Sequence, residues 1–343
     1  MSVRVARLDA SSAREWDAYV LEADDATFFH RAGWKNVLEQ AFGHRTHFLY
    51  AERGGRVTGV LPMAEVRSLL FGHSLSSLPF CVYGGIAADD PESAVALRDE
   101  ACRLAETLGV GALELRNQSP SEAQWPVKEL YFTFRKAIDE DDDVNLKAIP
   151  NRQRAMVRKG IKEGLLSEWD DGVERLYRVY SESVRNLGTP VFSSKYFRIL
   201  QREFADDCSV LMITHDGADV AGVMNFYFRD EVLPYYGGST SASRTLRGVN
   251  HFMYWELMRY SAERGCRVFD FGRSKADTGP FSFKKNFGFE PQPLPYEYYL
   301  VKSDSMPDVN PSNPKYKMLI DTWSKLPLPV ANFVGPLLAR SLG

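Results

Sequence analysis

The residues best suited to chemistry lie where a predicted strand of this 343-residue chain runs into a polar loop. The strand covers residues 268–271 and ends at Gly272, and the loop after it begins with Arg273 and Ser274. Polar loops that follow strand ends are where α/β proteins usually hold their reactive groups. Asp270, within the strand, is a candidate to orient a donor or take a proton, and a purely structural carboxylate is the alternative.

A lysine between aromatic residues follows this loop. Residues 281–287 are predicted to form a short helix in which Phe283 and Phe287 share one face, because they are four positions apart. Lys284 and Lys285 then point toward solvent or an anionic ligand. When an amine attacks an ester or thioester carbonyl, negative charge develops on oxygen, and a fixed cation stabilises it. Lys284 is the candidate for that role, and a solvated lysine on an amphipathic turn is the alternative.

Two hydroxyl groups are candidate donors to the same oxygen. Tyr236 ends a second predicted strand, residues 232–236, and Ser239 lies in the loop that follows. Ordinary strand-end packing and turn hydrogen bonds are the alternative for both residues.

The most basic segment of the chain directly follows an acidic run at residues 139–143. Its cations fall within sixteen residues: Lys147, Arg152, Arg154, Arg158, Lys159 and Lys162. In a helix, Arg154 and Arg158 lie on one face, and guanidinium groups bind phosphates through paired hydrogen bonds. We therefore predict that Arg154, Arg158, Lys159 and Lys162 bind substrate phosphates. A solvated connecting helix is the alternative.

The same order of elements occurs twice along the chain: two helices, three strands, a helix and two strands. The segment Tyr83-Gly84-Gly85, after a predicted strand at residues 77–83, corresponds to Tyr236-Gly237-Gly238. The repeat predicts an α/β (α+β) chain with two tandem domains, each a mixed, mostly antiparallel sheet flanked by helices. The predicted domains cover residues 1–145 and 146–302, and residues 303–343 form a Pro-rich linker and an apolar tail.

Composition and charge exclude some classes of function and indicate a compartment. The net charge of −3 excludes a generally basic nucleic-acid-binding surface, so any such contact must be local. The four cysteines are scattered, which is typical of free thiols in a reducing compartment, and the six histidines lack metal-ligand spacing, so no metal is expected. With no signal peptide and no apolar run of about 20 residues, we expect a cytoplasmic protein.

The apolar tail could dock on the protein itself, on a partner or at the inner face of a membrane.

Four motifs, in this order along the chain, carry a family resemblance: R-K-G-I-K-E-G at 158–164, G-T-P-V-F-S at 188–193, Y-Y-G-G-S at 235–239 and F-K-K-N-F-G at 283–288. Together with the repeat, they resemble the FemA/FemB-like peptidyl transferases over residues 20–302. The resemblance is closest to the FemAB-related subgroup associated with exosortase/PEP-CTERM systems.

The resemblance implies twin acyltransferase domains of the general N-acetyltransferase (GNAT) type, with no permanently bound cofactor. It implies that Phe283 and Lys284 act at the aminoacyl-tRNA end and its ester. It also implies that Arg158, Lys159, Lys162 and Gly164 lie near the phosphates of a nucleotide-linked or lipid-linked acceptor. The acceptor would carry an amine on a peptidoglycan precursor, or on another envelope glycan, because exosortase-linked relatives occur in exopolysaccharide contexts.

Two alternatives remain at this point. In the first, the donor is acyl-CoA and the chain is a sugar N-acyltransferase of exopolysaccharide biosynthesis. Enzymes of this type that use acetyl-CoA usually carry Q/R-x-x-G-x-G/A, and residues 244–250 depart from that spacing, which weighs against acyl-CoA. In the second, the chain is a non-catalytic twin-GNAT scaffold of an envelope-assembly complex.

Overall fold

The computed structural model describes residues 2–68, 72–306 and 320–341. The chain divides into two compact units, and the second comprises Phe132–Gln292 together with the C-terminal helix. The first comprises the residues before Phe132 and the segment that begins at Pro293. The predicted linker residues Pro307, Pro311 and Pro314 lie outside the described residues.

These units differ from the predicted domains, which were divided after residues 145 and 302. The strand Pro291–Leu300, predicted to end the second domain, pairs antiparallel with Ala112–Arg116 of the first unit. The segment before residue 145 begins the second unit, where Arg135 pairs with Asp270. Backbone hydrogen bonds between distant segments therefore determine the division, and sequence order alone does not show it.

Both units of the chain contain helices. The helices are α1 (Ala13–Glu22), α2 (Gly33–Phe42), α3 (Pro91–Leu108), α4 (Asp142–Ala148), α5 (Asn151–Lys162), α6 (Glu174–Asn186), α7 (Ser194–Phe204), α8 (Val249–Glu263), α9 (Gly279–Asn286) and α10 (Leu328–Ala339). The basic segment is thus helical, as both of its interpretations require, with Lys147 on α4 and its other cations on α5.

The strands range from two to eleven residues in length. They are β1 (Arg4–Arg7), β2 (Leu49–Arg53), β3 (Arg56–Leu61), β4 (Ala64–Ser68), β5 (Gly72–Ser76), β6 (Ala87–Ala88), β7 (Ala112–Arg116), β8 (Val127–Ala137), β9 (Leu166–Asp170), β10 (Cys208–His215), β11 (Ala218–Phe228), β12 (Glu231–Ser239), β13 (Val268–Asp270), β14 (Ser274–Lys275) and β15 (Pro291–Leu300).

The first unit contains two sets of paired strands. One has the order β1-β2-β3-β6 and is antiparallel throughout, and the other contains β4-β5-β7-β15, in which β5 and β7 are parallel. The prediction of a strand at residues 77–83 is wrong, because β5 ends at Ser76. Leu78 and Phe80 have φ angles of 62° and 70°, which no extended strand allows.

The second unit contains the strand order β8-β13-β12-β11-β10-β9, in which β12 and β13 are parallel and the other neighbours are antiparallel. Helix α8 packs against β10, β11 and β12, and α6 packs against β11 and β12. The core of this unit is aromatic and aliphatic, with Phe134, Leu257 and Phe269 fully buried. This core fixes the ends of β12 and β13, where the candidate site lies.

Candidate active site

The parallel strands β12 and β13 stay paired over a short distance only. Their register joins Glu231 to Val268 and Val232 to Phe269, and β12 then continues to Ser239. A register shift between Met224 and Asn225 of β11 adds local twist to β12 at the same place. Two parallel strands that part at their carboxyl ends leave a wedge, and ligands of α/β proteins commonly bind at such strand ends.

Lys284 lies against the turn at the end of β13. Its ammonium nitrogen donates hydrogen bonds to the carbonyl oxygens of Phe271, Gly272 and Arg273 at 2.7, 3.0 and 3.1 Å. The turn that presents three carbonyls to one nitrogen requires Gly272, whose φ is 64°. The lysine therefore connects helix α9 to the loop after β13 and uses all three of its N–H groups there.

The surroundings of this ammonium are aromatic. Its nitrogen lies 5.5 Å from the ring centre of Phe134 and 5.8 Å from that of Phe271. Burial lowers the pKa of Lys284 from 10.5 to about 7, while the nearby carboxylate of Asp270 opposes this effect and the guanidinium of Arg273 adds to it. An amine with a pKa near neutrality is suited to exchange protons with a reacting group.

Asp270 is fully buried beside this lysine and belongs to a charged group. One oxygen accepts a hydrogen bond from the backbone N–H of Gly272 at 2.7 Å, and the other lies 3.5 Å from Arg135. Arg135 also contacts Glu231, whose pKa is raised by burial. The carboxylate of Asp270 thus shapes the turn that Lys284 binds, which favours a positioning role over direct proton transfer.

The loop between β13 and α9 leaves one polar group without a partner. Ser274 is 7% exposed, and its hydroxyl oxygen makes no hydrogen bond to the described residues. Thr278 ends the loop by capping α9, because its side chain accepts a hydrogen bond from the backbone N–H of Phe281. A buried hydroxyl without a partner is costly, which makes Ser274 a candidate to bond a ligand or an ordered water at this site.

Phe283 packs with several aromatic residues around α9, including Phe271 of the turn, whose ring centre is 6.5 Å away. Its ring is stacked on Phe287 at 5.7 Å and lies 5.1 Å from the ring of His251. His251 in turn is 2.7 Å from the side-chain oxygen of Gln153 in α5. This histidine, which the sequence interpretation missed, joins α5, α8 and α9. Its place in the first turn of a predicted helix was the available signal.

The basic helix α5 is held close to this site by glycines. A Cβ at Gly248, just before α8, would overlap the carbonyl oxygen of Met156 in α5, and one at Gly160 would lie 2.8 Å from the Cβ of Phe252. After α9, a Cβ at Gly288 would lie 2.9 Å from Pro150, which precedes α5. The start of α8 and the end of α9 therefore both contact the basic helix or its first residues.

The predicted phosphate-binding residues of α5 differ in availability. Arg158, Lys159 and Lys162 are exposed, whereas Arg154 is half-buried. The guanidinium of Arg154 contacts the side chain of Asn151 and donates to the carbonyl of Lys147 at 3.1 Å. For Arg158, Lys159 and Lys162, the described contacts include no such bond. These three side chains form the cationic surface of the helix.

Tyr236 and Ser239 lie on β12, apart from the bonds of Lys284. The hydroxyl of Tyr236 is 2.8 Å from that of Tyr196, and its ring packs against Tyr180, Phe192 and Phe197. Ser239 is the last residue of β12 and is half-buried. The structure thus brings together Asp270, Arg273, Ser274, Phe283 and Lys284, and it ties Tyr236 to a separate aromatic group.

Comparisons with known proteins agree with this architecture. Residues 149–285, which lie within the second unit, match the family described as "Acetyltransferase (GNAT) domain". None of the curated proteins matches the chain in sequence. The expectation of an acyltransferase is therefore confirmed for the class, on the basis of this domain.

Solved structures extend the likeness over most of the chain. The crystal structure of FemX has a TM-score of 0.68 at 16% identity and covers 92% of this chain and 100% of its own. A C-terminal domain of a putative lysylphosphatidylglycerol synthetase from Agrobacterium fabrum has a TM-score of 0.58 at 14% identity and covers 84% and 92%. A tandem GNAT protein of the clavulanic acid biosynthesis pathway has a TM-score of 0.55 at 13% identity and covers 89% and 100%. The tandem GNAT fold, of the Fem type, is therefore confirmed.

Proposed function

We propose that the chain transfers an aminoacyl group from aminoacyl-tRNA to an amine of an envelope glycan or of its lipid-linked or nucleotide-linked precursor. The observation that carries the proposal is the buried ammonium of Lys284 at the diverging ends of β12 and β13. A cation in aromatic surroundings interacts strongly with charge that develops on a reacting oxygen.

The proposed reaction makes a C–N bond and breaks the C–O bond of the ester. The acceptor amine attacks the carbonyl carbon, the carbonyl oxygen becomes negative, and the hydroxyl of the tRNA ribose leaves. The amine loses one proton and the leaving oxygen gains one. To contact the oxygen, Lys284 must exchange one of its three carbonyl partners for the substrate. Its lowered pKa allows it to donate a proton to the leaving oxygen and to regain one from the nitrogen of the acceptor, so that the protons balance.

The surroundings of α8 favour an aminoacyl donor over acyl-CoA. A CoA pyrophosphate would use the free N–H groups at the start of this helix. Gly248, just before the helix, and Val249, its first residue, are buried, and Met156 of α5 lies directly against Gly248. This packing reduces the room for a pyrophosphate at the first turn and agrees with the unusual spacing of residues 244–250.

The acceptor assignment rests on charge and on the names of similar proteins. Arg158, Lys159 and Lys162 offer an exposed cationic surface on α5 to the phosphates of an acceptor. Lysylphosphatidylglycerol synthetase is named for joining an aminoacyl group to a phospholipid, and two neighbours carry that name or its abbreviation. The association with exosortase/PEP-CTERM systems rests on the resemblance of the four sequence motifs and stays part of this proposal.

Acyl-CoA is the second candidate donor, because one neighbour of similar fold is described with reference to AcCoA. Calorimetric titration of the purified chain distinguishes the donors. One series uses acetyl-CoA and longer acyl-CoAs, and the other uses a non-hydrolysable analogue of an aminoacylated tRNA acceptor stem. We expect binding of the RNA analogue only, weakened by salt and by Lys284→Ala but not by Lys285→Ala on the exposed side of α9.

Saturable binding of acyl-CoA without RNA binding would replace the aminoacyl proposal with the acyl-CoA-dependent sugar N-acyltransferase. The scaffold alternative makes a different prediction in cells. If cells with Lys284→Ala keep a normal envelope while cells that lack residues 303–343 do not, the chain acts as a scaffold. The catalytic proposal is then refuted.

A further inference from the structure

The C-terminal helix α10 has its faces reversed relative to an ordinary amphipathic helix. The small residues Ala331, Gly335 and Ala339 are buried, whereas Phe333 is 78% exposed and Leu337 is 61% exposed. Globular helices normally bury their large apolar residues and present polar ones to solvent. The described part of the molecule therefore leaves the large apolar face of α10 uncovered.

This orientation is held by close backbone contacts within the second unit. A Cβ at Gly335 would lie 2.9 Å from the backbone nitrogen of Val191 and 3.0 Å from its oxygen. Before α10, a Cβ at Gly188 would lie 2.6 Å from the carbonyl oxygen of Ile320. Arg185 of α6 also donates to the carbonyl of Leu326 at 3.2 Å. The helix is thus docked by its small face, and its large residues cannot turn inward without losing these contacts.

The outward face is continuous and uncharged. Val330, Phe333 and Leu337 follow at spacings of three and four, which places them on one side of the helix, and Leu338 adjoins them. Residues 328–339 contain no charged side chain. Two exposed cations stand at the ends, Lys325 before the helix and Arg340 after it.

This pattern fits an anionic membrane surface. Helices that lie in the lipid interface insert apolar residues between the acyl chains and place lysine or arginine among the phosphates of the headgroups. A second copy of the chain is a poorer fit, because the four exposed side chains offer roughly 400 Å² of apolar area, about half of what one partner contributes to a stable protein interface. The cations at both ends of the apolar face also match a surface whose phosphates border an apolar layer.

We propose that α10 is an interfacial helix that docks the chain on an anionic lipid surface through Val330, Phe333, Leu337 and Leu338. The helix lies along the surface and does not cross it. In agreement, none of the helices in the described ranges is long and apolar enough to span a membrane. This inference is independent of the identity of the acyl donor.

The test is co-sedimentation of the full chain with vesicles. One set contains phosphatidylglycerol and phosphatidylethanolamine, and the control set contains phosphatidylcholine alone. We expect binding to the anionic vesicles, weakened by salt and by Lys325→Gln. The double variant Phe333→Asp, Leu337→Asp should reduce the partition coefficient about tenfold or more, because charged residues do not enter the apolar interface.

The matched control is Leu166→Asp in β9, because Leu166 is 66% exposed on the same unit but far along the chain from α10. It should bind vesicles as the unchanged chain does, and thermal unfolding of all variants should show that each is folded. Absence of vesicle binding, or binding that the double variant retains, overturns the proposal. A concentration-dependent dimer that the double variant abolishes, without vesicle binding, also overturns it and assigns the face to a second copy.

Discussion

The ammonium nitrogen of Lys284 lies 2.7 Å from the carbonyl oxygen of Phe271, a residue thirteen positions earlier in the chain. Through this bond and its two companions, the lysine determines the shape of the turn after β13. The shape of this turn and the proposed chemistry therefore depend on the same side chain, and variants at this position must separate the two roles.

Lys284→Met should abolish transfer and lower the midpoint of thermal unfolding, because three carbonyls lose their donor. Lys284→Arg keeps the positive charge but is too long for the same three bonds, so we expect a loss of at least about tenfold in kcat/KM with a smaller thermal effect. Steady-state kinetics and calorimetry measure the two effects, and Lys285→Met is the control. Full activity of Lys284→Met would assign the lysine a structural role only.

The pKa of Lys284 can be measured directly by NMR of chains labelled at the lysine side chain. We expect titration near pH 7, far below the usual lysine range, because burial disfavours the ammonium. Asp270→Asn removes a negative charge that favours the ammonium, so it should lower this pKa further. Arg273→Gln removes a positive charge and should raise it. A titration of Lys284 near pH 10 contradicts the burial of its nitrogen.

The same shift has a consequence for stability. Between about pH 7 and pH 10, the unfolded chain keeps the proton on Lys284 and the folded chain releases it. The free energy of unfolding should therefore rise with pH through this window, relative to that of Lys284→Met. Denaturant unfolding at pH 6, 8 and 10 tests the sign, and a difference between the two proteins that stays constant with pH refutes it.

Gly248→Ala should destabilise the chain by about 2–4 kcal/mol, because its φ is 78° and the new Cβ would overlap the carbonyl of Met156. Gly265→Ala is a matched control, since Gly265 has a φ of 96° and open space around its Cβ position. It should cost only about 1 kcal/mol, from the backbone strain. Equal costs in denaturant unfolding would show that the approach of α5 to α8 is not tight.

Neutralising the exposed cations of α5 should weaken binding of a phosphate-bearing substrate without affecting the fold. We expect the triple variant Arg158→Gln, Lys159→Gln, Lys162→Gln to raise KM for the acceptor and to reduce the dependence of binding on salt. Lys195→Gln in α7 is the control, because this lysine is also exposed. Unchanged KM and salt dependence in the triple variant would leave α5 as a solvated connecting helix.

The hydroxyl pair of Tyr236 and Tyr196 allows a test of the predicted catalytic role of Tyr236. Each Tyr→Phe variant removes one partner of a buried hydrogen bond and should cost about 1 kcal/mol of stability. If Tyr236 also donates to the substrate, Tyr236→Phe lowers kcat and Tyr196→Phe does not. Equal kinetics in both variants would assign Tyr236 to the aromatic packing alone.

The local elements could be predicted because they depend on residues close together in the chain. The helical spacing of Phe283 and Phe287 indicated α9, and the cations at residues 152–162 fell on one helix as expected. The repeated order of elements similarly indicated two related α/β units. The prediction of a strand at residues 77–83 was wrong, because the backbone has positive φ angles at Leu78 and Phe80, and their side chains do not indicate this.

Sequence alone indicated the candidate stretch around Lys284, because a lysine between aromatic residues after a strand-end loop is visible in the order of the residues. Only the tertiary structure decided that its ammonium is enclosed by carbonyls, that Arg135 and His251 join the site, and that Tyr236 bonds to Tyr196. The contacts of Tyr236, His251 and Arg135 join residues 40, 98 and 135 positions apart. These contacts arise from strand pairing and helix packing, which cannot be read from the type and spacing of the side chains. The exposure of the large apolar residues of α10 likewise depends on how the helix packs.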